Sequence, residues 1–184
     1  MASDPIITPD FRLAFPHVFE PDTSENGGNK YTITMLFPEG TDLSALRKLA
    51  ADAVKERWPD DKTRPKNIRS PFRDGNEVTW DGFAGNIFVR ASSQYQPGVV
   101  DAKVVRVIDP GKVFGGCWAR AQIHAYAYDQ KGNQGVSFGL NNLQLVPAGG
   151  RDDTPFGGNR AEDAFDTVEM PAGGEGDDGE DMFA

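Results

Sequence analysis

From residue 11 to residue 146 apolar side chains recur chiefly at every second position, the spacing of a strand with one buried face and one wet face. In the segment Tyr31–Phe37, the side chains of Tyr31, Ile33, Met35 and Phe37 share one side, and Thr32 and Thr34 take the other. The preceding run Glu25-Asn26-Gly27-Gly28-Asn29 is turn chemistry, which predicts a hairpin with Phe11–Phe19. Further strands are predicted at Glu77–Trp80, Asn86–Ser92, Lys103–Ile108, Trp118–Tyr128 and Gly135–Val146, with Gly132-Asn133 turning between the last two. One segment breaks the pattern. Leu43, Leu46, Leu49, Ala50, Ala53, Val54 and Arg57 recur at three and four, Thr41 or Asp42 stands where a cap is needed, and Pro59 ends the run. A single amphipathic helix is predicted there.

Strands at this spacing, one inserted helix, and glycines such as Gly82, Gly85, Gly98, Gly111, Gly115 and Gly116 that let a sheet bend suit a small barrel. The expected fold is mainly β: an OB-fold-like, partly open β-barrel with one inserted amphipathic α-helix. A β-sandwich fits the strand lengths nearly as well and is the second choice.

Charge changes this picture in one respect. The formal net charge is −9, from 28 acidic and 19 basic residues. Residues 1–147 hold 17 of each sign and are neutral, so the whole excess lies in residues 148–184, where 11 carboxylates face Arg151 and Arg160. That stretch is rich in Gly and has too few large apolar side chains to offset the entropy of ordering. Two regions are therefore expected: a folded domain over residues 1–147 and a disordered acidic tail over residues 148–184. Cys117, alone with His17 and His124, cannot furnish a four-ligand zinc site, and no apolar run is long enough to span a bilayer. No disulfide, metal, cofactor or membrane association is expected, and a cytoplasmic location follows.

Two constellations carry candidate chemistry. The run from Lys62 to Arg73 holds Lys62, Arg64, Lys66, Arg69 and Arg73 with no carboxylate, and its prolines keep it extended. Cations so spaced follow a phosphate backbone, and Phe72 offers a π-face among them. The plainer alternative is a solvated loop. The second lies in the segment Cys117–Asp129, where Trp118, Arg120, Gln122, His124, Tyr126 and Tyr128 alternate with Ala119, Ala121, Ile123, Ala125 and Ala127. The small residues suit the crowded inside of a narrow barrel, which leaves the rings and polar groups facing out. Rings alternating with Arg and Gln are what a stacking platform for unpaired bases requires, whereas the bland reading packs each ring under a loop with its polar tip wet. Arg90 and Tyr95, on and just after the strand Asn86–Ser92, extend the same surface.

Enzyme signatures are scarce: there is no GxxxxGK[ST] loop, no nucleophile elbow and no calcium-loop spacing. Asp60, Asp101 and Lys103 compose a nuclease site on paper only, and no enzymatic activity is expected.

The stretch Gly135-Val136-Ser137-Phe138-Gly139-Leu140-Asn141-Asn142-Leu143-Gln144-Leu145-Val146, followed by Ala161-Glu162-Asp163-Ala164-Phe165, resembles a bacteriophage single-stranded DNA-binding family formerly held as a domain of unknown function. The likeness runs from about Phe11 through Phe165, with Ile87–Ser92 and His124–Tyr128 in the expected places. It implies an OB fold, sequence-tolerant binding of single-stranded DNA, and a role in phage replication or recombination inside the infected bacterial host. The end of the chain, Asp177, Asp178, Glu180, Asp181 and Phe183, is similar to the acidic tips with which other such proteins dock replication or recombination partners, although Phe183 here is penultimate. The charge split adds an expectation that the tail competes with DNA for the groove. A homo-oligomer is compatible with all of this. The competing reading is a non-enzymatic viral structural or assembly protein of barrel or sandwich type.

Overall fold

The computed structural model describes residues 2–157 and 165–169. The tail residues Asp177, Asp178, Glu180, Asp181 and Phe183 lie outside them. No described helix is long and apolar enough to cross a membrane.

Eight strands and one helix follow in the order β1 (Ile6–Ile7), β2 (Phe11–Asp22), β3 (Lys30–Pro38), α1 (Ser44–Arg57), β4 (Phe72–Asp74), β5 (Asn86–Ser93), β6 (Gly98–Val100), β7 (Trp118–Gln130) and β8 (Asn133–Leu145). Five of the strands close a ring in the order β2-β3-β5-β8-β7 and back to β2. Three of its seams are long antiparallel ladders. The other two are thin: β2 meets β7 at Phe11 and Arg12 only, and β5 runs parallel to β8 at Ala91 and Ser92 only. A five-stranded ring so closed is the OB architecture, partly open as expected, and it excludes the sandwich.

The inward face of the ring is built by alternation. Ile33, Met35 and Phe37 of β3, Val89 and Ala91 of β5, and Phe138 of β8 meet Ala119, Ala121, Ile123 and Ala125 of β7 in one buried core. The alanines let α1 lie close, burying Leu46, Ala50 and Ala53 against β7 and β8. Asp42 accepts from the Ser44 N–H at 3.0 Å, satisfying one donor of the first turn. Lys55 and Arg57 occupy the last turn, where positive charge suits the helix dipole.

Three expectations are corrected. Glu77–Trp80 is not a strand: Gly75–Glu77 forms a short 3-10 turn, and the chain loops out. In Lys103–Ile108 only Arg106 bridges, to Val100, because the strand itself is β6. The turn between β7 and β8 is centred on Lys131 and Gly132, at φ 51° and 79°, one residue earlier than predicted. The folded body also continues past residue 147. Arg151 stacks 3.9 Å over Trp118, and Phe156 packs against a second apolar cluster of Ala14, Leu36, Phe83 and Phe88. Ten residues assigned to the tail by composition thus belong to the body. Further on, Phe165 and Val168 are exposed.

Candidate nucleic-acid interface

The cationic run divides in two. Its first half leaves α1 as a solvated turn, in which Arg64 donates to the Trp58 carbonyl and pairs with Asp61 at 2.8 Å, while Lys62 and Lys66 point to solvent. Its second half is stitched into the barrel. Below Ala91 the strands β5 and β8 part, and the segment 69–74 fills the gap: Arg69 bridges Gly135, and β4 pairs with β5 from Phe72↔Val89 to Asp74↔Ile87. Phe72 turns inward, edge-on to Phe138 at 5.9 Å under the Arg47 guanidinium, so its half-buried ring packs against the core and its free side is capped by a cation.

Arg69 and Arg73 consequently edge a cleft of about 510 Å³ that crosses the outer face of the ring. Thr32 and Thr34 of β3 line its floor together with Arg90 of β5 and Ser137 of β8, and Tyr128 of β7 stands at one side. An adjoining hollow of about 270 Å³ shares Asn26, Thr32, Arg90 and Ser137 and continues the cleft to Tyr126, Ser92 and Lys30. The tyrosines occupy room left by small partners. Tyr126 faces Ser137, and a side chain at Gly135 would collide with the Tyr128 ring. His124 lies likewise over Gly139, with Nδ1 2.6 Å from Asn141 Oδ1.

The opposite wall is built from residues that the period-two pattern does not mark. Phe15 is a bulky residue at φ 46°, in a bulge of β2 that turns its ring outward. It meets Trp80 edge-on at 5.5 Å, and Trp80 stands 5.2 Å from Phe83, which in turn packs 5.0 Å from Phe88. Phe83 and Phe88 are buried, whereas Phe15 and Trp80 remain 52% and 48% exposed, so they form the open crest of a buried stack. Arg73 lies 4.9 Å over the Phe88 ring at its foot.

Among the described residues Arg69, Arg73 and Arg90 make no ion pair. Arg90 donates only to the Asn26 carbonyl, at 3.3 Å. Asp22 is the carboxylate lining the cleft, and hydrogen bonds from Ser24, aided by His17 and Arg90, hold it below the ordinary carboxylate range. A comparable hollow of about 470 Å³ between the 38–43 loop and β4 sets Glu39 and Asp74 against Arg47 and Arg73, and its one ring, Phe72, is capped by Arg47, so it suits a polyanion less well.

Of the residues singled out in the sequence, Arg69, Arg73, Arg90, Tyr126 and Tyr128 converge on this cleft. Tyr95 is 81% exposed but lines neither hollow. Arg120 donates to Gln144 at 2.6 Å and borders a separate depression with Ile7 and Val104. Trp118 is corrected outright: it is 7% exposed, roofed by Arg151, and its Nε1 donates to the Asp152 carbonyl at 2.9 Å. Asp60 and Asp101, the acids of the paper nuclease, accept hydrogen bonds from their own turns at Lys62 and at Lys103 and Val105.

A five-stranded OB ring with aromatic walls, a polar floor and ion-pair-free arginines is an oligonucleotide-binding type of protein. More narrowly, the chain belongs to the family described as Enterobacter phage Enc34, ssDNA-binding protein, which matches residues 4–181. Putative protein p50 of Acyrthosiphon pisum secondary endosymbiont phage 1 is 32% identical over 172 residues, covering 86% of this chain and 91% of that one. The single-stranded DNA-binding protein from bacteriophage Enc34, solved in complex with ssDNA, shares the fold at TM-score 0.65 and 22% identity, over 84% of this chain and 89% of that one. The single-stranded DNA-binding protein encoded by bacteriophage T7 shares it at TM-score 0.55 and 16% identity, over 94% and 99% of the two chains.

Proposed function

We infer that this chain is a phage single-stranded DNA-binding protein that holds the strand in the cleft between the Phe15–Trp80 crest and the Tyr126–Tyr128 edge. The observation that carries the reading is the meeting, in one cleft, of open rings with Arg69, Arg73 and Arg90, none of which forms an ion pair with a described residue, against the single carboxylate of Asp22. Rings stack on any base, each worth about 1–3 kcal/mol, while cations follow the phosphates whatever the sequence. Binding is therefore sequence-tolerant. Duplex hides its bases and engages the cations alone.

The role is protection of single strands during phage replication or recombination in the cytoplasm of the infected host. Family membership supports this reading over a structural or assembly protein. The acidic tail competes for the same cleft, and Asp177, Asp178, Glu180, Asp181 and Phe183 dock replication or recombination proteins. The neutrality of residues 1–147 against the concentrated charge of the rest supports both statements. Association between copies is supported by Val104, Val105 and Ile108, exposed in the segment that follows β6, and sedimentation at rising concentration tests it. Anisotropy titration of a labelled oligo-dT tests the main reading. Binding that weakens steeply with salt and with loss of the tyrosines is expected, and indifference to oligo-dT at low salt would overturn it.

A further inference from the structure

The segment from residue 151 to residue 157 does more than cover Trp118. It crosses Gly116 so closely that a side chain there would collide with the Thr154 carbonyl. Arg12 of β2 clamps it: Nη2 donates to that carbonyl at 2.6 Å, Nε donates to the Gly116 carbonyl at 3.0 Å, and the guanidinium lies 4.3 Å over the Phe156 ring. The Phe156 N–H donates to the Gly115 carbonyl at 2.8 Å, and the next N–H, of Gly157, donates to the Asp81 carboxylate at 3.0 Å. The Phe156 ring lies on Gly82, at φ 81°, so tightly that a side chain at that position would collide with it. Asp81 and Gly82 are the two residues between Trp80 and Phe83. The turn that presents the crest is thus gripped from behind by the last part of the body before the acidic tail.

We propose that Phe156, clamped by Arg12, is a positioning residue for single-stranded DNA binding: it holds the 80–83 turn so that Trp80 faces the cleft. The proposal rests on the cleft being the DNA site. It also makes the start of the tail mechanically continuous with one wall of that site. Trp80 is half exposed: its carbonyl accepts from the Phe83 N–H at 3.3 Å, and its indole is held by ring contacts with Phe15, Phe83 and Phe88. Removing the Phe156 ring leaves the turn with Asp81 tethered to a loosened segment, and the indole free to leave its stacking orientation.

The test uses the full chain and a double-mutant cycle read with labelled oligo-dT. Phe156→Ala is expected to weaken binding about tenfold with the salt slope unchanged, and Trp80→Leu to weaken it at least as much. Adding Phe156→Ala to Trp80→Leu should then cost almost nothing further, because residues acting through one another are not additive. Phe156→Leu, which keeps apolar volume over Gly82, should recover most of the loss and serves if the alanine variant fails to fold. In chain labelled with 5-fluorotryptophan, the Trp80 fluorine resonance should shift in Phe156→Ala while that of Trp58 stays in place. Losses that add, or a Phe156→Ala chain that binds like the parent while Trp80→Leu does not, would overturn the proposal. A parent chain that ignores oligo-dT would instead overturn the functional reading, with the Trp80 resonance still reporting whether Phe156 holds the turn.

Discussion

Strand β7 carries one alternating face to two different outcomes. At its far end Tyr126 and Tyr128 stand over Ser137 and Gly135 at the edge of an open cleft. At its near end Trp118, in phase with them, is sealed under Arg151 and the backbone of Asp152. The pleat decides which side of the barrel a residue takes, and both ends obey it. What lies on top of that side is decided by chain from elsewhere, in this case a segment whose composition reads as tail. The cationic run repeats the lesson: Arg69 and Arg73 reach the cleft because β4 fills the seam between β5 and β8, while Lys62 and Lys66 stay beside the helix.

The strongest break of this contrast is in charge. Replacing Arg69, Arg73 and Arg90 together by Ala is expected to weaken oligo-dT binding about a hundredfold at low salt and to make the slope of log K on log salt shallower by about 2. Replacing Lys62 and Lys66 should leave the slope nearly as it was. Anisotropy titrations across a salt series decide the matter, and equal slope losses from the two sets would lay the strand along the helix side of the run instead.

Truncation sharpens the boundary between body and tail. A chain ended after Val146 loses Arg151 from Trp118 and Phe156 from the Phe83 cluster, and should lose about 2–4 kcal/mol of stability in denaturant melts. A chain ended after Gly157 keeps both contacts and should melt like the parent. Only the chain ended after Gly157 isolates the acidic charge. If the tail competes for the cleft, that chain will gain more affinity for duplex than for single strand; an unchanged ratio removes the competition.

The two ends of β7 predict opposite signatures for a ring. Tyr126→Leu should cost about 1–3 kcal/mol of oligo-dT binding with the salt slope and the melting temperature intact. Trp118→Leu should instead lower stability by about 2–4 kcal/mol, with binding by the remaining folded chain close to that of the parent. A binding loss without a stability loss at Trp118 would mean that the 151–157 segment opens to admit DNA.

Much of this was legible because it is local. The strands β2, β3, β5, β7 and β8 and the helix follow from periods of two and 3.6, and the inward alanines of β7 marked a narrow barrel before any pairing was known. The converging arginines and tyrosines were also in view. Phe15 and Trp80 were not. Phe15 is turned out by a bulge that no spacing announces, and Trp80 sits in a loop held by contacts with Phe83 and Phe88 and, through Asp81 and Gly82, with residues some 75 positions later in the chain. The signal available for Trp80 was turn chemistry on both sides, Gly75-Asn76 before and Asp81-Gly82 after, which leaves only the four residues 77–80 for a strand.

The smallest effect concerns the carboxylate inside the cleft. Hydrogen bonds from Ser24 hold Asp22 below its ordinary value of 3.8, with His17 and Arg90 adding to the shift. A group whose folded pKa is depressed stabilises the fold fully above its unfolded pKa and loses that contribution as pH falls through the folded value. The Asp22 share is therefore constant from neutrality down to about pH 4 and fades only below it. Asp22→Asn should retain the acceptor for the Ser24 N–H, flatten the acid limb of the stability curve below that point, and lower neutral stability by the same small share. The same substitution removes a negative charge beside Arg90, so at low salt and neutral pH oligo-dT should bind slightly more tightly, by about two- to threefold, with the gain screened away as salt is raised. A gain that persists at high salt would mean that Asp22 acts on the shape of the 23–29 loop and not through its charge.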